Sequence, residues 1–557
     1  MNDISILIGG KAGFGIDTSS LIIARIFNQL GYRLYVYRDY PSLIRGGHTF
    51  SIIRAHSEKK AAHSNRIDIL LALDQDTLDF HKSRLNKNGM LIYDSDSVNA
   101  EGIGDGIQTI KAPLTTLVKE ENASEIMRNT CIIGVLCKIC CIRWDILEKV
   151  LKKNISRETD LNLKVARRGF DAVEELRKAE PLNQAPLPII SGNEAIGLGL
   201  LKAGIQDYVA YPMTPSSGLL HFMASLTQDF PLKVIHPESE IGVMLMALGF
   251  SFMGEKTAVG TSGGGFCLMT EGLSFAGMAE LPVVIIMGQR PGPSTGLPTY
   301  TSQTELDFVI SAGQGEFPRL VVAPADAEEA YYWSGLAMNL AWKFQIPSFI
   351  LSDKTLSEGA YSFDLNSVPE IREENPVPWD KKSPYKRYAD TETGVSPLAF
   401  VPQPNEVIKA NSYEHDALGI TTEDAVISKA MQDKRMRKER FLREDLENYR
   451  TVNIYGDNAA TTAIVCWGSN KGVCAEAAEK LKLKVIQPVV LWPFPLKAVK
   501  EALSGVTKII SVENNATGQL AGLMSRYGLI VNEKILRYDG RPFVPEELEE
   551  EIRKVMK

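Results

Sequence analysis

Four short segments carry residue types that could do chemistry. In Ala210-Tyr-Pro-Met-Thr-Pro-Ser-Ser217, two prolines bracket a threonine directly after a short apolar run. Pro212 and Pro215 fix φ and hold their predecessors extended, so the turn is stiff. At the carboxyl end of a strand in an open α/β sheet, such a turn lies where ligands bind. The Thr214 hydroxyl then either caps the following helix or donates to a bound anion, and the residues leave both readings open. In His236-Pro-Glu-Ser-Glu-Ile-Gly-Val243, two carboxylates precede an apolar helix. They either complement the positive helix end, with Ser239 as the cap, or place one carboxyl in a dry site. Glu240, which abuts the apolar face, is the better candidate for the second role. Gly260-Thr-Ser-Gly-Gly-Gly-Phe266 lets the backbone approach another group closely, or is a plain strand-to-helix turn. Last, Met287-Gly-Gln-Arg-Pro-Gly-Pro-Ser-Thr-Gly-Leu-Pro-Thr299 places Arg290 in a Gly/Pro-rich loop, where its planar fork could clamp a carboxylate. The alternative is a surface arginine, which the constrained residues around it disfavour.

The elements that must position these segments read as α/β. Apolar runs at 208–211, 257–261, 283–287, 319–322 and 347–351 alternate with helical periodicity between about 189 and 363. That alternation implies a parallel sheet covered on both faces. Residues 1–180 form an earlier α/β unit: a strand at 4–8, a glycine-rich turn at 9–15, a helix at 17–30, strands at 67–73 and 90–93, and a last helix at 164–178. Pro181, Pro186 and Pro188 mark a linker. Residues 364–449 are an irregular connection ending in a charged helix at 422–448, whose basic run Lys434-Arg-Met-Arg-Lys438 reads as a solvated face. Residues 450–557 form a third, smaller α/β domain, with strands at 462–466, 484–488 and 509–513.

Composition bounds the function. A chain of 557 residues is too long for one core. A formal net charge of -7 without a dominant basic stretch argues against a nucleic-acid partner. Residues 1–10 read as a strand and not a signal peptide, and the apolar run at 281–288 is too short for a membrane span, so a cytoplasmic protein is expected. Seven cysteines, an odd number, point to reduced thiols. Cys137-x-x-Cys140, with Cys131 and Cys141 nearby, could suggest an iron–sulfur site. The segment is almost wholly apolar and no second pair lies close, so buried thiols are expected.

Tyr211-Pro-Met-Thr-Pro-Ser-Ser217, Glu238-Ser-Glu240-Ile-Gly, Thr261-Ser-Gly-Gly-Gly265 and Gln289-Arg290-Pro-Gly-Pro-Ser-Thr-Gly296, in this order, resemble the α subunit of 2-oxoacid:ferredoxin oxidoreductases. Met213 departs from that family's usual Tyr-Pro-Ile-Thr-Pro. Asn411-Ser-Tyr-Glu-His-Asp416, Glu513-Asn-Asn-Ala-Thr-Gly-Gln519 and Arg537-Tyr-Asp-Gly-Arg-Pro542 look like the family as well. Residues 1–180 resemble its γ domain through Gly10-x-x-Gly13-x-Gly15 and Arg45-Gly-Gly47. The fused γ–α layout resembles the 2-oxoglutarate branch.

The resemblance implies three α/β domains: a γ domain, a thiamine-diphosphate pyrimidine-binding domain at 189–363, and a transketolase C-terminal-like domain. It assigns Glu240 to N1′ of the aminopyrimidine, where a carboxyl promotes the imino tautomer that takes the thiazolium C2 proton. Thr214 and Arg290 become ligands of the substrate carboxylate. Tyr211, Pro212, Ser262, Gly263 and Gly264 become the cofactor's surroundings. Gly10, Gly13, Gly15 and Arg45 either face coenzyme A or shape the γ domain. The implied reaction is coenzyme A-dependent oxidative decarboxylation of a 2-oxoacid, with 2-oxoglutarate favoured, to acyl-CoA and CO₂, electrons leaving to ferredoxin. Arg319, Lys256 and His236 are candidates for a second substrate carboxylate. The chain lacks Gly-Asp-Gly followed by Asn-Asn at the usual distance, and a ferredoxin-like cysteine run. Mg²⁺ and a [4Fe-4S] cluster are therefore expected on a separate β subunit, in an (αβ)₂ assembly. Two other readings stand beside this one: a non-catalytic scaffolding subunit, and an NAD- or flavin-linked oxidoreductase using the N-terminal turn, whose spacing is not Gly-x-Gly-x-x-Gly.

Overall fold

A computed structural model describes residues 3–43 and 46–557, so Arg45 lies outside the described residues. The fold is α/β, and three sheets organise it. No helix among the described residues is long and apolar enough to cross a membrane.

Residues up to 190, with 359–364 and 544–547, form one compact unit around an eight-stranded mixed sheet. Its central strand, Asp3–Lys11, is buried along nearly its whole length. It pairs in parallel with Ile67–Ala72 and antiparallel with His48–His56. His48–His56 and its other neighbour, Arg33–Asp39, escape a reading by apolar runs because charged residues interrupt them. Arg54 can be buried there because Asp3 and the Ala62 carbonyl take its guanidinium at 2.9 and 3.0 Å. The strands Ile189–Ser191 and Ala360–Ser362 also lie in this sheet.

The expected helix at 164–178 instead runs Thr159–Asp171. Beyond it, the amides of Leu176 and Arg177 donate to the Ile139 carbonyl and that of Ala179 to Cys140, so the chain leaves the helical ladder for tertiary partners. The helix Arg128–Ile139 packs backbone-close on it, because a Cβ on Gly134 would strike the Ala166 carbonyl and one on Gly169 the Cys131 carbonyl. Cys131, Cys137 and Cys140 are buried in this core. Burial pushes the Cys131 and Cys140 thiols up to about 12 and Cys137 well above its ordinary value, which disfavours the thiolate a metal needs.

The second unit holds a seven-stranded and a five-stranded sheet. The larger runs, in spatial order, Val490–Trp492, Leu320–Val322, Pro347–Asp353, Val283–Gln289, Thr257–Thr261, Asp207–Ala210 and Lys233–Ile235. All pairs are parallel except the edge strand Val490–Trp492. The first strand in sequence, Asp207–Ala210, has its successor on one side and Thr257–Thr261 on the other. Strand order reverses there, which opens a crevice at the carboxyl ends. The register pairs Ala210 with Gly260, Thr261 with Met287, and Gln289 with Asp353, so consecutive strands end level.

One expectation is overturned. The basic run of the helix Ala425–Leu446 is not a solvated face, since Lys434, Arg435 and Lys438 are all buried. Glu280, at the C-cap of the helix Gly263–Ala279, accepts from Lys434 at 2.8 Å and pairs with Lys438, while Arg435 pairs with Glu414. Burial alone would raise the Glu280 carboxyl, but the two ammonium groups outweigh it and hold it well below the carboxylate range. Burial lowers Lys438 to about 7 against the pull of Glu280. A charge pattern cannot announce this, because the partner lies 154 residues away. Glu280→Gln strands two buried cations, and a loss of about 3–5 kcal/mol in denaturant unfolding is expected; a solvated face would give a change within about 0.5 kcal/mol.

Candidate functional site

The four segments meet at the carboxyl edge of the seven-stranded sheet. Tyr211–Pro215 follows Asp207–Ala210, Ser262–Gly265 follows Thr257–Thr261, and Arg290 follows Val283–Gln289. Thr214 is not a helix cap: the helix begins at Ser217, and the N-cap Ser216 gives its hydroxyl to the Met213 carbonyl. The Thr214 carbonyl accepts from Arg290 at 3.0 Å. That bond ties the proline turn to the arginine loop, and it spends one guanidinium N–H on backbone. Arg290 is 8% exposed, so it is no surface arginine, and burial lowers it while Glu305 works the other way.

Glu240 is the first residue of the helix Glu240–Met253 and is buried, whereas Glu238 is exposed. Ser239 precedes it without a side-chain capping bond. The carboxyl stands at the glycine turn: a Cβ on Gly265 would lie 2.7 Å from Glu240 Oε1, 2.6 Å from Met213 Sδ, and in collision with Thr261 Oγ1. Only a glycine leaves Glu240 in that place. Gly264 is exposed, with nothing nearer than 3.8 Å to a Cβ there, and Gly263 leaves room for the Glu305 carboxyl. The proline turn and the glycine turn thus bring Met213, Thr261 and Gly265 together as a cradle around one buried carboxyl. Tyr211 and Pro212 are exposed at its rim, and His236 lies edge-on to Tyr211 at 5.7 Å. The other two candidates for a second carboxylate are occupied elsewhere. Arg319 donates to the Val309 and Ala312 carbonyls, and Lys256 to the carbonyls of Ala203 and Glu374 and to Glu373.

Sequence reasoning missed the loop that closes the cradle. Glu305 is 8% exposed. Its Oε1 accepts from Thr304 at 2.8 Å and its amide donates to Gln289 Oε1 at 3.2 Å. Thr299 Oγ1, Ser262 Oγ and Glu305 Oε2 are buried without a hydrogen-bond partner among the described residues. Beside this loop, Gln303 exchanges backbone and side-chain bonds with Asn514, Asn515, Trp467 and Asn470. Glu513, fully buried, accepts from Trp467, Asn515, Leu520 and Ala521. Asn514 and Asn515 therefore serve as a clamp on Gln303, and Gln519 holds the Thr304 carbonyl next to it. The signal available in the sequence was a polar string, Thr299-Tyr-Thr-Ser-Gln-Thr-Glu305, too polar for a core and too short of glycine for an open loop.

In the first unit, Gly13 and Gly15 take φ of 88 and 75°, and Gly15 opens the helix Ile16–Gln29. A cavity of about 420 Å³ beside them is lined by Gly10, Lys11, Asp74, Asp76, Glu125 and Arg128, among others. Arg128 is already paired with Asp94 and Glu125. Three carboxylates and two cations line it, so its charge alone gives no preference for or against a pyrophosphate.

Known proteins match along the whole chain. The family described as pyruvate ferredoxin/flavodoxin oxidoreductase matches residues 5–172. The thiamine-diphosphate-binding family of the pyruvate flavodoxin/ferredoxin oxidoreductases matches residues 199–434, and core domain II of pyruvate:ferredoxin oxidoreductase matches residues 460–548. A 2-oxoacid:ferredoxin oxidoreductase subunit alpha from Sulfolobus is 32% identical, over 100% of this chain and 97% of that protein. The 2-oxoglutarate synthase subunit KorA of Archaeoglobus fulgidus is 38% identical over 33% of this chain and 54% of its own length. The solved 2-oxoglutarate:ferredoxin oxidoreductase of Magnetococcus marinus, described with 2-oxoglutarate, coenzyme A and succinyl-CoA bound, superposes with a TM-score of 0.92. It covers 100% of both chains at 28% identity.

The cradle makes a contrast between neighbours. Gly265→Ala must displace Met213, Thr261 or Glu240 and is expected to lose about 1–3 kcal/mol in denaturant unfolding, whereas Gly264→Ala is expected to change stability by less than about 0.5 kcal/mol.

Proposed function

The chain belongs to the family of 2-oxoacid:ferredoxin oxidoreductase α subunits, and we propose that in it Glu240, Thr214 and Arg290 carry the substrate chemistry on a thiamine diphosphate shared with a β subunit. The observation that carries the reading is the buried Glu240 carboxyl against Gly265, at a glycine turn whose neighbour Gly264 is open. A flat heterocycle with a ring nitrogen fits that cradle, because the glycine backbone allows close approach and the carboxyl supplies a hydrogen-bonding partner. Tyr211, Pro212, Ser262, Gly263 and Gly264 would hold it.

When bound, thiamine diphosphate supplies an acidic ring carbon and an electron sink. Glu240 holds a proton at N1′ of the pyrimidine. Arg290, fixed by its bond to the Thr214 carbonyl, presents its remaining N–H groups to the substrate carboxylate, and the Thr214 hydroxyl adds a donor. These contacts orient the 2-oxo group; binding the carboxylate any tighter would stabilise the ground state and slow loss of CO₂. Coenzyme A then takes the acyl group and ferredoxin the electrons. We favour 2-oxoglutarate as substrate, on the names of the relatives and with His236 near the rim as the group for its second carboxylate. Mg²⁺ and a [4Fe-4S] cluster belong on the β subunit in this reading, and the assembly is (αβ)₂ in the cytoplasm. Gly10, Gly13 and Gly15 shape the γ domain in this reading, since Gly13 and Gly15 take the left-handed backbone that turns the strand into the helix Ile16–Gln29.

A partner is also called for by the surface beside Glu240. Ile241, Leu245, Met246 and Met253 stand exposed on its helix, and Leu268 on the helix Gly263–Ala279. An apolar stripe of this kind next to a half-built site suits a second subunit.

The test is co-expression with the β subunit, then viologen reduction with coenzyme A across a panel of 2-oxoacids. Glu240→Gln in the purified complex is expected to lower turnover about a hundredfold or more; full turnover would leave the scaffolding reading standing. Leu245→Asp is expected to abolish co-purification of the β subunit while the circular dichroism of the α chain is unchanged, and retention of the complex would place the partner elsewhere.

A further inference from the structure

Glu305 has no part in the chemistry described so far, yet its carboxyl lies inside the cradle. A Cβ on Gly263 would come within 2.8 Å of its Oε1, so any larger residue at the start of the helix Gly263–Ala279 would push the Glu305 side chain aside. The clamp of Gln303 onto Asn514 and Asn515 fixes the loop that carries it. Its Oε1 is satisfied by Thr304, its amide by Gln289, and its Oε2 is buried with no partner among the described residues. A carboxyl kept only to fill space would be served better by leucine, and one kept only to accept from Thr304 by glutamine. Gln289, whose side chain accepts from the Glu305 amide, directly precedes Arg290, so the guanidinium is the charged group that bears on this carboxyl; Gly263 and Thr304, which face it from the other sides, do not ionise.

We propose that Glu305 is a positioning residue for the substrate carboxylate: as a neutral acid it leaves the Arg290 guanidinium to the 2-oxoacid, and as a carboxylate it competes for that cation. The inference rests on the reading that Arg290 takes the substrate carboxylate. Burial raises Glu305 to about 7, with the Thr304 hydrogen bonds and the Arg290 charge acting in the opposite direction. The sign follows. Below that value the acid is neutral and the anionic substrate meets an uncontested cation. Above it the site holds a resident anion, and substrate affinity falls as pH rises.

The experiment uses the αβ complex, pyruvate and 2-oxoglutarate, coenzyme A and methyl viologen. The KM of the parent enzyme for the 2-oxoacid is expected to rise about eightfold between about pH 6.5 and about pH 8, the neutral fraction falling tenfold per unit beyond the midpoint. Glu305→Gln, permanently neutral, is expected to give a flat KM over that range, and Glu305→Asp, still ionisable, to keep the rise. Infrared difference spectra between the parent and Glu305→Gln should show a protonated-carboxyl band that titrates away over the same interval. A flat parent profile, a Glu305→Gln profile that still rises, or a missing band overturns the inference. If that happens while Arg290→Lys still cripples turnover, the reading of Arg290 stands without it. If no 2-oxoacid is turned over and the band titrates as described, the assignment of substrate falls and takes this role of Glu305 with it.

Discussion

The site depends on the space that Gly265 leaves empty. Thr261, Met213 and Glu240 crowd the position where any other residue would carry a Cβ, and these three come from different segments of the chain. Their convergence is a consequence of parallel register. Strands that pair Ala210 with Gly260 and Thr261 with Met287 end at one level, so the turns that follow them face a common crevice. Because strand order reverses at Asp207–Ala210, the helices that follow on either side diverge, and the crevice stays open to a ligand. A carboxyl can be buried there because it sits at the first turn of a helix, where the unpaired amides favour negative charge.

The smaller sheet acts on the same crevice from outside it. Asn514 and Asn515, just past the strand Lys508–Glu513, both bond Gln303, and the buried Glu513 accepts from Asn515, Trp467, Leu520 and Ala521. Buried polar networks of this kind are costly when incomplete, so they fix a loop in one geometry. Here the loop is the one that brings Glu305 beside Gly263. At the opposite end of the Gly263–Ala279 helix, Glu280 binds Lys434 and Lys438. The helix that presents the glycine turn is thereby anchored at its far end by charges distant in sequence.

The sequence made the strands and turns of the larger sheet legible, because parallel buried strands are continuous apolar runs and the turns after them are marked by proline and glycine. It made the burial of Glu240, and not of Glu238, legible as well, since one abuts an apolar helix and the other does not. It concealed whatever depends on partners distant in the chain. His48–His56 and Arg33–Asp39 hide their burial behind charges that Asp3 and other groups neutralise. The run at 434–438 looks solvated until Glu280 and Glu414 are placed beside it. Glu305 looks like an ordinary helix-start residue in a polar string until the Gly263 backbone approaches it.

What remains is why this surface should be left unfinished. A helix that begins at a buried acid and then exposes Ile241, Leu245, Met246 and Met253 violates the usual economy of a lone globular chain. Singly, exposed apolar residues mean little, since much of any protein surface is apolar. Here they form one stripe along the helix whose first residue is Glu240, and the neighbouring helix adds Leu268. Covering the stripe would withdraw the Glu240 end of the crevice from water and strengthen every electrostatic interaction inside it. In the proposed function, assembly and chemistry would then be the same event: the acid, the arginine and the second carboxyl would reach their working environment when another subunit closes over the helix that carries the first of them.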